Sequence, residues 1–192
     1  MVQVYTGDGK GKTTAAIGLA IRSLGAGHAV YMMQFMKSLA YSEQKLLQKF
    51  SPQLVLRTTG KPCFLAEEGM LSAEQIEAFG DGVVIFPPGK PPEDYRKLIE
   101  AGFEQAKAAS VSGQYELVIS DEINVALAFQ LLTRQQVEPL LAEFAGDTGR
   151  ELILTGRKAP DWMLEQADLV TEMREIRHYY QQGIEARRGI EN

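Results

Sequence analysis

Apolar positions along the chain follow two rhythms that alternate. Short and nearly unbroken apolar runs, VQVYT (2–6), HAVYMMQFM (28–36), LVLRTT (54–59), YELVISDE (115–122), ELILTG (151–156) and DLVTEM (168–173), predict strands. HAVYMMQFM and YELVISDE have too few polar positions for a half-exposed strand, so burial on both faces is expected. Between them the period lengthens to that of helices. AAIGLAIRSLGAG (15–27) puts Ile17, Ala20, Ile21 and Leu24 on one face and stops at glycines. SEQKLLQKF (42–50) reads as a helix, and EDYRKLIEAGFEQAKAA (93–109) keeps Tyr95, Leu98, Ile99, Gly102, Phe103 and Ala106 at 3, 4 spacing. A helix follows residue 122 and another starts near Thr133, where Gln136 completes a capping-box pattern; APDWMLEQA (159–167) is the last. From about residue 60 to Pro92 the pattern weakens, and GKPCF and FPPGKPPED read as surface loops around a short SAEQIEAF helix. Strands alternating with helices predict an α/β fold, a mostly parallel sheet with helices on both faces.

Composition narrows the picture without naming a chemistry. A chain of 192 residues fits one domain spanning 1–192, and no repeat, low-complexity segment or linker interrupts it. A net charge of -5 argues against general affinity for nucleic acid or an anionic membrane. No apolar run approaches the roughly 20 residues that span a bilayer. The chain enters a strand pattern at once, so no signal peptide is expected, and Cys63, the single cysteine, excludes an internal disulfide or a cysteine metal cluster. A cytoplasmic protein is the expectation.

The chemistry lies in GDGKGKTT (7–14), set between the first strand and the first helix. A strand, a glycine loop and Lys-Thr opening a helix is the P-loop arrangement. Glycines let successive N–H groups turn toward phosphate oxygens, and the helix N-terminus adds partial positive charge. Lys12 supplies a full charge, and the Thr13 hydroxyl is placed to bind Mg²⁺. One position departs from G-x-x-x-x-G-K-[ST]: counting back from Gly11 reaches Thr6, so the first glycine is displaced to Gly7. The partner acid for a metal is expected at the end of LVISDE, where Asp121 and Glu122 reach the ligand-binding edge of a parallel sheet. The competing account is an acidic pair that begins the next helix. His28 and His178 receive no role.

Together, TGDGKGKTTAAIGLAIRSLGAGHAVYMMQFMK, LVISDEINVAL, LILTGRKAP, ADLVTEM and RHYYQQGIEARRGIE resemble the P-loop ATP:cob(I)alamin, or ATP:corrinoid, adenosyltransferases over most of the chain outside about 40–110. The resemblance implies a RecA-like P-loop fold and transfer of the 5′-deoxyadenosyl group of ATP to Co(I) of a reduced corrinoid, releasing triphosphate and forming adenosylcobalamin or an adenosylated precursor. Reduced cobalt is then the nucleophile at C5′, so the protein supplies alignment and charge stabilisation rather than a general base. The family binds ATP in the reverse sense to most P-loop proteins, in keeping with the displaced glycine. The resemblance further implies Mg²⁺ (or Mn²⁺) as cofactor, an electron donor such as a reduced flavoprotein, and a homodimer.

Matched position by position, the resemblance assigns Gly7, Asp8, Gly9, Lys10, Gly11, Lys12, Thr13 and Thr14 to ATP, with Lys12, Thr13 and Glu122 catalytic and Thr13 and Glu122 on the metal. Asp8 stands where many relatives have Asn, which puts a carboxylate near phosphate. Arg22 and Arg157, which alone read as solvated surface charges, match nucleotide-contacting arginines. On the corrinoid side, better-known relatives crowd the lower face of the corrin with a Phe-x-Trp pair. Here GKPCFLAEEG offers Phe64 as the aromatic candidate, either against the corrinoid or tucked onto the core. Trp162 reads as packing and Cys63 as a small buried apolar residue. Two other functions compete: a P-loop ATPase or nucleotide kinase that cleaves a phosphoanhydride, and a regulatory module that binds nucleotide without turnover.

Overall fold

A computed structural model describes residues 1–38, 41–184 and 186–191, so Glu185 of the closing motif lies outside the described residues. Six strands, β1 (Val2–Thr6), β2 (Val30–Phe35), β3 (Leu54–Thr59), β6 (Leu117–Asp121), β7 (Glu151–Thr155) and β8 (Leu169–Glu172), form one sheet in the order β3-β2-β6-β7-β1-β8. Every pairing in it is parallel, with Val2 opposite Leu152 and Val30 opposite Leu117. The six predicted strands are all present, and β2 is buried at every position.

Alternation along the central strands sends side chains to two separate cores. Val30 and Met32 of β2 join Leu117, Ile119 and Ile153 beneath α1 (Lys12–Gly25) and α2 (Ser42–Leu47). Tyr31, Met33 and Phe35 face the other way, into a larger core covered by α4 (Glu93–Val111), α5 (Ile123–Ala128), α6 (Arg134–Ala142) and α7 (Asp161–Gln166). Helices therefore cover both faces, as expected for an α/β fold of the P-loop nucleoside-triphosphatase kind. At Gly102 of α4 an added Cβ would collide with the Thr59 side chain, so glycine lets this helix lie close on β3.

Three details differ from the sequence pattern. The stretch read as loops contains β4 (Phe64–Glu67) and β5 (Val83–Phe86), a separate two-stranded parallel sheet on either side of α3 (Ala73–Phe79). Four-residue strands that pair only with each other are too short to establish a period. The helix expected through residue 50 narrows to a 3₁₀ turn over Gln48–Phe50. On α1 the buried stripe is Lys12, Ala16, Ala20 and Ser23, which leaves Ile21 41% exposed. Small residues bring this helix close to the sheet, and the larger Ile17 and Leu24 pack at its flanks. The helix at Thr133 begins as predicted: the Thr133 hydroxyl accepts from the Gln136 amide, and the Gln136 side chain accepts from the Thr133 amide.

Candidate active site

The carboxyl ends of β1, β2, β6 and β7 meet around the glycine loop, where parallel sheets bind ligands. Gly7 and Gly9 are required by packing here. A Cβ on either would strike the backbone of Met173 and, at Gly9, Arg174, just after β8. The Gly9 amide donates to the Met173 carbonyl at 2.7 Å, fastening the loop to that edge strand. Thr6, in the place of the usual first glycine, still belongs to β1: it pairs with Glu172, and its hydroxyl accepts from the Ala159 amide. Gly11 has φ 116, a value that favours glycine, and it caps α1.

Lys12 is buried and curls back over its own loop, its ammonium donating to the carbonyls of Gly7 (2.6 Å) and Gly9 (2.7 Å). Burial pulls its pKa below the ordinary lysine value, opposed by the nearby Glu122 carboxylate. Thr13 donates its hydroxyl to Asp121 at 2.9 Å. Asp121 is wholly buried and also accepts from Thr155 (2.6 Å), Gln34 (3.2 Å) and the Lys37 ammonium (2.9 Å). Glu122 follows with φ 65, a left-handed conformation that is uncommon outside glycine and that marks functional turns. Burial first, and then the Asp121 charge, push the Glu122 carboxyl above the usual range; Lys37, Lys12 and Arg157 work in the other direction. Both acids predicted from LVISDE are thus brought to Lys12 and Thr13. Asp121 is saturated with protein hydrogen bonds, whereas the Glu122 side chain makes none among the described residues.

A cavity of about 1410 Å³ is lined in part by Gly9–Thr14, Lys37, Glu122 and Arg157. The lining also includes apolar side chains, Phe64, Leu65, Met70, Phe79, Val125 and Phe129. Phe64 is 46% exposed and stacks on Phe79, with ring centroids 5.3 Å apart and planes at 7°. It faces the cavity rather than the core. Cys63 lines the same wall, half-buried, and Trp162 packs elsewhere against the main core beneath the Arg134 guanidinium.

The remaining predicted residues divide. Arg157 reaches the loop and donates to the Asp8 carbonyl at 3.1 Å. Asp8 itself is exposed and outside the cavity lining, although its charge is felt at Lys12. Thr14 lines the cavity. Lys10 turns to the C-terminal segment, donating to the Tyr179 hydroxyl (3.1 Å), the Ile190 carbonyl (3.1 Å) and Glu191 (2.9 Å). Arg22 is exposed in the last turn of α1 and is not brought to the cavity.

Sequence reasoning missed Lys37 and Phe79. Lys37 is the first polar side chain after an apolar strand, a place where a charge is usually solvated. Phe79 ends a helix that no pattern connects to Phe64.

Compared with known proteins, residues 1–192 match the family model described as ATP:corrinoid adenosyltransferase BtuR/CobO/CobP. The chain is similar to a corrinoid adenosyltransferase from a Sinorhizobium species, 30% identical over 192 residues that cover 100% of this chain and 79% of the relative. It is equally similar to one from Pseudomonas aeruginosa, 30% over 190 residues, covering 98% and 81% of the two chains. A third, from Escherichia coli K12, is 28% identical over 192 residues, 100% and 85% of the two chains.

Proposed function

The chain belongs to the ATP:corrinoid adenosyltransferase family, and on that premise we propose that it moves the 5′-deoxyadenosyl group of ATP onto the Co(I) centre of a reduced corrinoid and releases triphosphate in one piece. It is an enzyme whose family carries out ATP-dependent adenosylation of corrinoids. The observation that carries the finer proposal is a single cavity lined both by the glycine loop and by the rings of Phe64 and Phe79.

The cobalt of the substrate supplies the electron pair that attacks C5′, so no side chain has to remove a proton. Charge then grows on the departing triphosphate. Lys12, freed from the Gly7 and Gly9 carbonyls, and the amides at the start of α1 stabilise that charge, with Arg157 adding a second cation from the β7 side. Phe64 and Phe79 offer the corrinoid a flat apolar surface that keeps water from one face. Cobalt, C5′ and the leaving oxygen must lie in line, and holding both substrates in one cavity provides that alignment.

The donor set fits Mg²⁺ or Mn²⁺. Thr13 and the two carboxylates are hard oxygen ligands, and Thr13 and Asp121 already hold a cation, the Lys37 ammonium. Among the described residues no three His, Cys, Asp or Glu gather to hold a metal unaided, so phosphate oxygens would complete its coordination. Thr13 and Glu122 would hold the ion, with Asp121 orienting Thr13; once bound, the ion would neutralise charge on the triphosphate. The same proposal includes an electron donor such as a reduced flavoprotein to make Co(I), a homodimer, one domain over 1–192 and a cytoplasmic location. No described helix is long and apolar enough to cross a membrane.

Product analysis tests the proposal. ATP, Mg²⁺ and anaerobically reduced cobalamin should give a light-sensitive adenosyl product and intact triphosphate. ADP and phosphate would identify a phosphoanhydride-cleaving ATPase or kinase instead, and ATP binding without any product a regulatory module.

A further inference from the structure

Lys37 has no place in the site predicted from the sequence, yet its ammonium lies at the centre of it. The chain leaves β2 through Met36 in a left-handed conformation, φ 56, and Lys37 then reaches back over the sheet edge. Its Nζ is 2.9 Å from Asp121 Oδ2 and 3.3 Å from Thr13 Oγ1, and the side chain is only 13% exposed. The Asp121 carboxylate, itself wholly buried, faces this ammonium as an ion pair. The ring of Tyr41 lies 5.3 Å from the ammonium, a further favourable contact for a cation.

A single positive charge therefore bridges the hydroxyl and the buried carboxylate beside which a divalent ion would have to sit. Two cations repel strongly at such a distance within a partly buried site, so ammonium and metal compete for the Thr13 hydroxyl oxygen and for the space beside it. We propose that Lys37 occupies the metal position of the nucleotide-free enzyme. The ion gains access only when the triphosphate supplies enough negative charge to hold both the metal and the displaced ammonium. Lys37 would then make metal binding depend on ATP, and it would leave a second lysine charge, besides Lys12, near the triphosphate. This inference rests on the proposed metal site at Thr13 and Glu122.

The test is Mn²⁺ binding to the protein without nucleotide, followed by the electron paramagnetic resonance signal of free Mn²⁺. Lys37→Gln removes the charge while keeping a donor for Asp121, and Lys37→Met serves as a second variant should the amide find a new partner. Each should bind Mn²⁺ at least about tenfold more tightly than the wild type. Thermal stability gives an independent readout: Mg²⁺ at constant ionic strength should raise the Tm of Lys37→Gln and leave the nucleotide-free wild type nearly unmoved. Equal Mn²⁺ affinity in wild type and variants, with ATP still promoting Mn²⁺ uptake by the wild type, overturns the role of Lys37 and leaves the metal site standing. Failure of the wild type to take up Mn²⁺ even with ATP overturns the metal site and this inference with it.

Discussion

Thr13, at the start of α1, and Asp121, at the end of β6, are joined by a 2.9 Å hydrogen bond across 108 residues of sequence. The bond ties the glycine loop to the centre of the sheet, and Asp121 is the hub through which Thr155, Gln34 and Lys37 are tied in as well. Removing a buried carboxylate strands each of these donors. Asp121→Ala should therefore lower unfolding free energy by about 3–5 kcal/mol, the range for breaking a buried ion pair from one side. Urea denaturation measures this directly, and a loss below about 1 kcal/mol would mean that water replaces the carboxylate.

Lys12 has a structural part in the loop and, on the proposed function, a chemical one. In the nucleotide-free loop it binds two carbonyls, so Lys12→Ala should cost about 1–3 kcal/mol of stability, a value expected for lost charge-assisted hydrogen bonds. Its effect on kcat should be a loss of at least tenfold, from roughly 2–4 kcal/mol of stabilisation at the leaving group. A fully active Lys12→Ala enzyme would falsify its assignment to the triphosphate.

The parts of this fold that were legible in advance are those whose signal repeats along the chain. β2 and β6 announce themselves because burial on both faces removes polar positions, and α4 because nineteen residues allow its period to recur. β4 and β5 were not legible: four residues each, with a helix between, carry no measurable alternation. Around the cavity, Lys12 and Thr13 were visible because loop chemistry fixes their spacing, and the two acids because they end a buried strand. Lys37 and Phe79 were not, because each acts through a partner far away in sequence, Asp121 and Phe64. The buried face of α1 was misjudged for a related reason: close packing favoured Ala16 and Ala20 over the larger Ile21.

Glu122, with its side chain unoccupied and facing the cavity, should contribute to metal binding more than to stability. Glu122→Ala should raise the Mg²⁺ concentration needed for half-maximal turnover by about tenfold or more, and high Mg²⁺ should restore part of the rate. An unchanged Mg²⁺ profile with slow turnover would shift the carboxylate's role to Asp121.

Away from the site, Glu138 joins α6 to α7. Hydrogen bonds from the Arg134 guanidinium, at 2.9 and 2.7 Å, and then from Gln166 at 2.7 Å, lower its pKa to about 2. A carboxylate with a depressed folded-state pKa contributes stability above its unfolded value, near 4.5, and loses it as pH falls toward about 2. Wild type and Glu138→Gln should therefore converge in Tm as pH drops through that window and separate above it. Because the pair is exposed, added salt should narrow the gap. A gap that stays constant from pH 6 to pH 2, to within about a degree, would assign the difference to packing instead.

Phe64 and Phe79 stack nearly parallel and offset in the lining of the cavity, and each remains close to half exposed, 46% and 42%. Leaving two large aromatic rings in water is unfavourable unless something covers them, and the flat face of a corrinoid is suited to do so. The donor ligand on the lower face of Co(II) raises the orbital that the incoming electron must occupy. On the proposed function, aromatic rings that exclude that ligand and water would ease reduction to the nucleophilic Co(I). Phe64→Ala should lose at least about tenfold in rate when the assay starts from Co(II), and less when chemically prepared Co(I) is supplied, while its ATP affinity is unchanged. Phe79→Ala should show the same asymmetry, because Phe79 holds the Phe64 ring in place. A double-mutant cycle on corrinoid affinity should return a coupling of about 0.5–1.5 kcal/mol between the two rings. In both variants the Co(II) complex should show less of the four-coordinate species by electron paramagnetic resonance. Equal losses in the two assays would mean that the pair shapes the pocket without acting on the cobalt, and no loss in either would remove both rings from the corrinoid site.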